Sequence, residues 1–236
     1  MLSFKDKKVL IISPHPDDEV IGCGGLISKI KKDGGKVYVL FLTNGDAADF
    51  SKAGKSTIRQ RNHEIEKVAK FLKYDDYEIA FEGNSYHLML DKLPQLELIS
   101  MIERNSRLAL EKIKPALVLL PHPESYNQDH RAAATATFSA CRPASPNNKF
   151  QPKTILSYEF PGDYWSLRIS ALFNFFVELT KAHLENKLKA LKLYKSQVRS
   201  HPNPRSFAAL HSLATLRGVQ SGCNLAEAFL SHKFLI

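Results

Sequence analysis

Along this chain, continuous apolar runs of strand length alternate with segments in which apolar residues recur every three or four positions. "KKVLII", Lys7 to Ile12, is such a run. It leads into a helical pattern over roughly Glu19 to Lys32, closed by Gly34-Gly35. "KVYVLFLT" predicts a second strand, and "NGDAADFSKAGK" a loop. "STIRQRNHEIEKVAKFL" puts Ile58, Ile65, Val68, Ala69 and Leu72 on one side of a helix, with Ser56 as its candidate cap, and "YEIAF" is the next short strand. After Pro94 the pattern predicts one long helical stretch to Lys114, then the strand "PALVLLP" and the alanine-rich helix "RAAATATFSAC". Past Cys141 it loosens through "RPASPNNKFQPK" into "TILSYEF", the aromatic "LFNFFVEL", a basic helix and two short C-terminal helices.

Strand, helix, strand, helix implies an α/β fold with a mostly parallel sheet covered by helices on both faces, in three layers. The 236 residues suffice for one domain over 1–236, with an α/β core over about 1–141 and a C-terminal elaboration over 142–236. In such sheets ligands bind beyond the carboxyl ends of the strands, where the strand order reverses. The turn "SPHPDDE" after the first strand and the turn "PESYNQDH" after "ALVLL" would open onto the same edge.

Composition changes this picture little. Apolar residues make up 44% and charged residues 24%, an ordinary globular balance. No run approaches the roughly 18 uncharged residues of a membrane span, and "MLSFKDKK" has no apolar signal core behind it, so a cytoplasmic setting is expected, with peripheral membrane contact left open. Cys23, Cys141 and Cys223 lie far apart and form no thiolate motif, which reads as three small buried side chains. The net charge of +9 could attract nucleic acid or an anionic substrate. Much of it falls between Lys181 and Arg205, where Leu184, Leu188, Leu191 and Tyr194 recur at helical spacing and the lysines fill the other faces. A solvated helix face explains that pattern, and no aromatic platform of the single-strand binders is interleaved with it, so nucleic acid is not the expected partner.

Three carboxylates and a histidine crowd "HPDDE". The glycines of "GCGG" lack the third glycine of a dinucleotide fingerprint, "GKS" at Gly54 to Ser56 lacks the first glycine of a phosphate loop, and no serine-nucleophile elbow is present. A metal fits better. His15 offers an imidazole nitrogen and Asp18 a carboxylate, His130 in "NQDHR" is the third donor, and such a mixed set with an open position suits catalytic zinc. Fe(II), Co(II) or Ni(II) would tolerate it too. Asp17 would stay unligated beside the metal as the base for a water whose pKa the metal lowers to around 7. The plain alternative is a helix start with Asp17 or Asp18 capping backbone amides, and a second His/Asp turn at the same edge weighs against it.

"PHPDDEVIGCGG", "LTNGD", "RQRNHEIEKVA", "LDKLP", "NQDHRAA", "ELTKAHLENKLKALKLYKSQ" and "RGVQSGCNLAEAF" occur in this order. Through them nearly the whole chain resembles the zinc-dependent de-N-acetylases of the LmbE and PIG-L type. The resemblance implies a Rossmann-like single domain that hydrolyses an N-acetylated amino sugar, with metal ligands at His15, Asp18 and His130 and the general base at Asp17. It makes Asp129 an orienter behind the ligands and Arg61 a residue near the substrate, although the spacing of Arg61 to Glu64 and Glu66 equally suits a helix-surface salt bridge. One position departs: where the family carries a histidine three residues before the third ligand, this chain has Asn127. An asparagine amide can donate to an oxyanion but cannot carry a proton, which leaves the acid to Asp17 or to His122 after "LVLLP". A non-sugar amide hydrolase on the same site, or a metal- or nucleic-acid-binding protein without turnover, are the alternatives.

Overall fold

The computed structural model describes residues 3–48, 55–145, 147–163, 165 and 173–235. The first apolar run is β1 (Lys8–Ser13), and "KVYVLFLTN" is β2 (Lys36–Asn44). Between them lies α1 (Asp18–Lys32). β3 (Ala47–Ala48) and β4 (Lys55–Ser56) pair as a short antiparallel ribbon in the expected loop, of which 49–54, with Gly54 of "GKS", lie outside the described residues. With Ser56 in that ribbon, the cap of α2 (Ile58–Leu72) passes to Thr57, whose side chain accepts from the Gln60 amide. β5 (Asp76–Glu82) follows.

The long helix expected up to Lys114 is broken into α3 (Gln95–Ser100), a π-turn over Met101–Asn105 and α4 (Leu110–Ile113). The cause is visible in Glu78, whose Oε2 accepts from the Ser106 hydroxyl and from the Arg107 and Leu108 amides. Those amides are thereby drawn out of a helical ladder. β6 (Leu117–Leu120), α5 (Gln128–Ala140), β7 (Thr154–Tyr158), β8 (Phe175–Glu178), α6 (Lys181–Leu193), α7 (Phe207–Ser221) and β9 (Ala226–Phe234) complete the chain. The C-terminus thus holds one helix and one strand where two helices were expected. Gly222, at φ 76°, stops α7, and β9 inserts antiparallel between β7 and β8.

The sheet runs β5-β2-β1-β6-β7-β9-β8, with β5, β2, β1, β6 and β7 mutually parallel. Strand pleating sends alternate side chains to two cores. Val9, Ile11, Val39 and Phe41 pack with Ile27 of α1, Val68 of α2 and Leu191 of α6 on one face. Leu10, Ile12, Leu40 and Val118 pack with Leu98 of α3 and the alanines of α5 on the other. This is the three-layer α/β sandwich. From β1 the chain proceeds outward to β2 and β5, then returns to β6 on the other side, so the order reverses between β1 and β6.

The glycines of "GCGG" serve packing. A Cβ on Gly22 would lie 2.2 Å from the Tyr158 ring, so α1 lies against β7 only because that position is bare. α1 also kinks at Cys23, where the Glu227 carboxylate of β9 accepts from the Gly25 and Leu26 amides at 2.9 and 2.7 Å. Lys187 of α6 completes this knot with Nζ 2.7 Å from Glu227. It is buried, not part of a solvated face, whereas Lys189 is exposed. Cys23 and Cys141 are buried as expected, and Cys223 is only half-buried. Among the described residues no helix is long and apolar enough to cross a membrane.

Candidate active site

The turn after β1 is pinned before it is functional. Ser13 Oγ donates to the His15 carbonyl at 2.7 Å, and the Pro14 carbonyl accepts from the Thr43 amide at 2.9 Å. Asp17 then adopts φ 115°, a left-handed backbone that costs a non-glycine residue about 1–3 kcal/mol. Its amide donates to Glu19 Oε2 at 3.1 Å, and Glu19 is itself held by the hydroxyls of Tyr194 at 2.6 Å and Tyr74 at 3.1 Å. Asp17 occupies the N-cap position of α1, yet its side chain caps nothing, which removes the capping explanation for that residue.

Asp18 Oδ2 accepts from the His15 amide at 2.9 Å and lies 3.2 Å from His15 Nδ1 and 3.1 Å from His130 Nε2. His15, Asp18 and His130 are buried and each offers one donor atom within 4.8 Å of the others. The opposite nitrogen of His15 is 2.9 Å from Asp129 Oδ2, and Asp129 Oδ1 accepts from the Leu90 amide at 3.0 Å. A carboxylate hydrogen-bonded to one imidazole nitrogen fixes the ring and its tautomer. Asn127 caps α5, its Oδ1 accepting from the Asp129 amide at 2.9 Å.

The charge balance shows what this cluster lacks. Burial disfavours the charged form of His15, but the Asp129 and Asp18 carboxylates overcome it and raise the ring to about 9. The two carboxylates thus favour positive charge at this ring. Asp17 Oδ1 and Oδ2, Asp18 Oδ1 and His130 Nδ1 are buried without a hydrogen-bond partner. A divalent metal answers both observations, so the residues fit the group. Burial lifts Asp17 to about 6, against the pull of Arg205, whose Nε is 3.3 Å from Asp17 Oδ2.

Arg61 is buried, with Nη1 2.9 Å from His87 Nε2 and Nη2 donating to the Pro16 carbonyl at 3.3 Å. The surface salt bridge is therefore excluded: Glu64 instead accepts from Ser196, and Glu66 faces solvent beside His63. His122 accepts at Nδ1 from the Glu124 amide and packs on Phe173. Burial lowers its pKa, with the charge of Glu124 opposing and that of His232 adding to the shift. Sequence reasoning missed Arg205, His87 and Glu19. His87 stacks edge-on to His15 at 5.2 Å, and burial, with the charges of His15 and Arg61, pushes it down to about 3, so it stays neutral. Its place after β5, at the carboxyl edge, was the available signal. Arg205 gave none, because a distant connection delivers it.

A reversal of strand order with a buried His-Asp-His cluster beneath it defines an α/β protein with a site fit for a metal. Residues 10–141, more than half the chain, match the family PIG-L: GlcNAc-PI de-N-acetylase, and the chain belongs to that family. It is 28% identical over 235 residues to the diacetylchitobiose deacetylase of Thermococcus kodakarensis, covering 95% of this chain and 83% of that one. The fold is shared with the conserved protein TT1542 from Thermus thermophilus (TM-score 0.74, 22% identity, 98% and 96% of the two chains). It is equally shared with the 4-carboxy-2-hydroxymuconate hydratase GalB of Pseudomonas putida (TM-score 0.75, 18% identity, 98% of each chain). Fold alone therefore does not decide the reaction.

Proposed function

We propose that this protein removes the acetyl group from an N-acetylated amino sugar, and that zinc is held by His15, Asp18 and His130. The observation that carries this reading is Asp17: a buried carboxylate in a strained turn, free of hydrogen bonds, beside three convergent donors. Zinc in such a donor set polarises a carbonyl and acidifies water. Asp17 takes the proton of the attacking water as the new C–O bond forms. As the C–N bond breaks, Asp17 passes that proton to the leaving amine, so acetate and a free amino sugar depart. Burial favours the protonated form of this carboxyl, which suits a group that takes up a proton and then gives it back. Asp129 holds the His15 ring, and Arg61 and neutral His87 hold each other beside it.

Metal analysis and kinetics on the same variants test the assignment. His15→Ala, Asp18→Ala and His130→Ala should each lose stoichiometric metal, whereas Asp17→Asn should keep it and lose at least about 100-fold in kcat, the usual share of a general base. Full acetate release by Asp17→Asn would refute the assigned base. Absence of acetate from a panel of N-acetylated sugars and nucleotide sugars would refute the substrate class.

A further inference from the structure

The family's histidine is absent at position 127, and neither residue considered in its place supplies a cation at Asp17. Asn127 is neutral, with Oδ1 accepting from the Asp129 amide, and His122 accepts from the Glu124 amide and packs on Phe173. The cation paired with Asp17 at contact distance is Arg205. Its Nε lies 3.3 Å from Asp17 Oδ2, and the side chain, 29% exposed, comes from the connection between α6 and α7.

That placement is built through the "YKSQ" segment. Ser196 donates its amide and hydroxyl to Glu64 of α2 at 2.8 and 2.6 Å. Gln197 donates to Ser196 Oγ at 2.9 Å, and its Oε1 accepts from Arg205 Nη1 at 3.5 Å. Asn203 Oδ1 accepts from the Arg205 amide at 2.9 Å. Ser196, Gln197 and Glu64 are all buried, so the arm that carries Arg205 is anchored in the fold.

We propose that Arg205 is a catalytic residue that binds the acetyl oxygen as negative charge develops on it. The proposal rests on the de-N-acetylase reading. A water in hydrogen-bond reach of Asp17, about 2.6–3.2 Å, attacks a carbon about 3–3.5 Å further on. The oxygen of that carbonyl then falls within the span of a guanidinium already in contact with Asp17. During attack the C–O bond forms, the carbonyl π pair moves onto oxygen, and Asp17 takes the water proton. Arg205 keeps all its protons and donates hydrogen bonds to the oxyanion, a charge-assisted contact of the strong kind. When the pair returns and the C–N bond breaks, the amine receives the proton from Asp17.

The test uses the full metal-loaded chain, with Arg205→Ala and Arg205→Gln. Both should keep their metal and fall about 100- to 1000-fold in kcat, the loss usual for one oxyanion donor, with KM nearly unchanged. Added guanidinium chloride should restore part of the rate of Arg205→Ala, which a merely structural arginine would not permit. Methylphosphonate, a tetrahedral anion, should bind at least about tenfold more weakly to both variants. That measurement needs no turnover, so it judges Arg205 even if no N-acetyl sugar is hydrolysed and the substrate reading fails. A kcat within a few-fold of the parent, a loss confined to KM, or unchanged methylphosphonate affinity would overturn the proposal.

Discussion

Replacing Lys187 by glutamate puts a second carboxylate against Glu227, in a place where the parent chain holds an ion pair at 2.7 Å with both partners about 95% buried. Glu227 also carries two amides of the kinked α1, so the defect spreads from α6 through β9 to the helix that begins at Asp18. Breaking a buried pair by removing one partner costs about 3–5 kcal/mol. With an m-value of about 3 kcal/mol/M in urea for a chain of this size, a loss of about 4 kcal/mol lowers the unfolding midpoint by about 1.3 M. Lys189→Glu is the control. Its neighbour Glu185 is 3.8 Å away and both are largely exposed, so the change should stay within about 0.5 kcal/mol. The combined change Lys187→Met with Glu227→Gln should recover most of the loss, because a pair removed together leaves no unpaired charge. Urea unfolding followed by circular dichroism reads all three. If Lys187→Glu unfolds at the same midpoint as Lys189→Glu, the buried knot is not a stabilising element and the reasoning fails.

Gly22→Ala should be expressed poorly or lose about 1–3 kcal/mol, since its Cβ has only 2.2 Å to the Tyr158 ring; thermal unfolding measures it, and a parent-like midpoint would show that α1 and β7 can part. Burial raises Asp163 to about 6 from 3.8, so the folded state holds a proton there that the unfolded chain has lost. The stability this contributes is full below about 3.8 and is lost as pH rises through about 6, so Asp163→Asn should flatten the fall in stability across that window. Parallel pH profiles for parent and variant would refute this.

The architecture was legible because apolar periodicity differs between strand and helix, and because β1, β2, α2, β6 and α5 each carry their pattern within a few adjacent residues. The same holds for His15, Asp17 and Asp18, which share one turn, and for His130, which opens a helix at the same sheet edge. Where the reading failed, the deciding partner lay far along the chain. Glu78 breaks the expected helix after Pro94 from 28 residues away, and Glu227 converts Lys187 from a solvated charge into a buried one across 40. β9 became a strand because a vacant edge beside β7 could accept its hydrogen bonds, a fact absent from its own pattern. The sequence by itself therefore determined β1, β2, β5 and β6, the helices α1, α2 and α5, and the residues suited to a metal, all of them local matters of spacing and side-chain chemistry. Tertiary structure decided which charges are buried and which cation meets Asp17, because burial and ion pairing depend on residues that only the folded chain brings within a few ångströms.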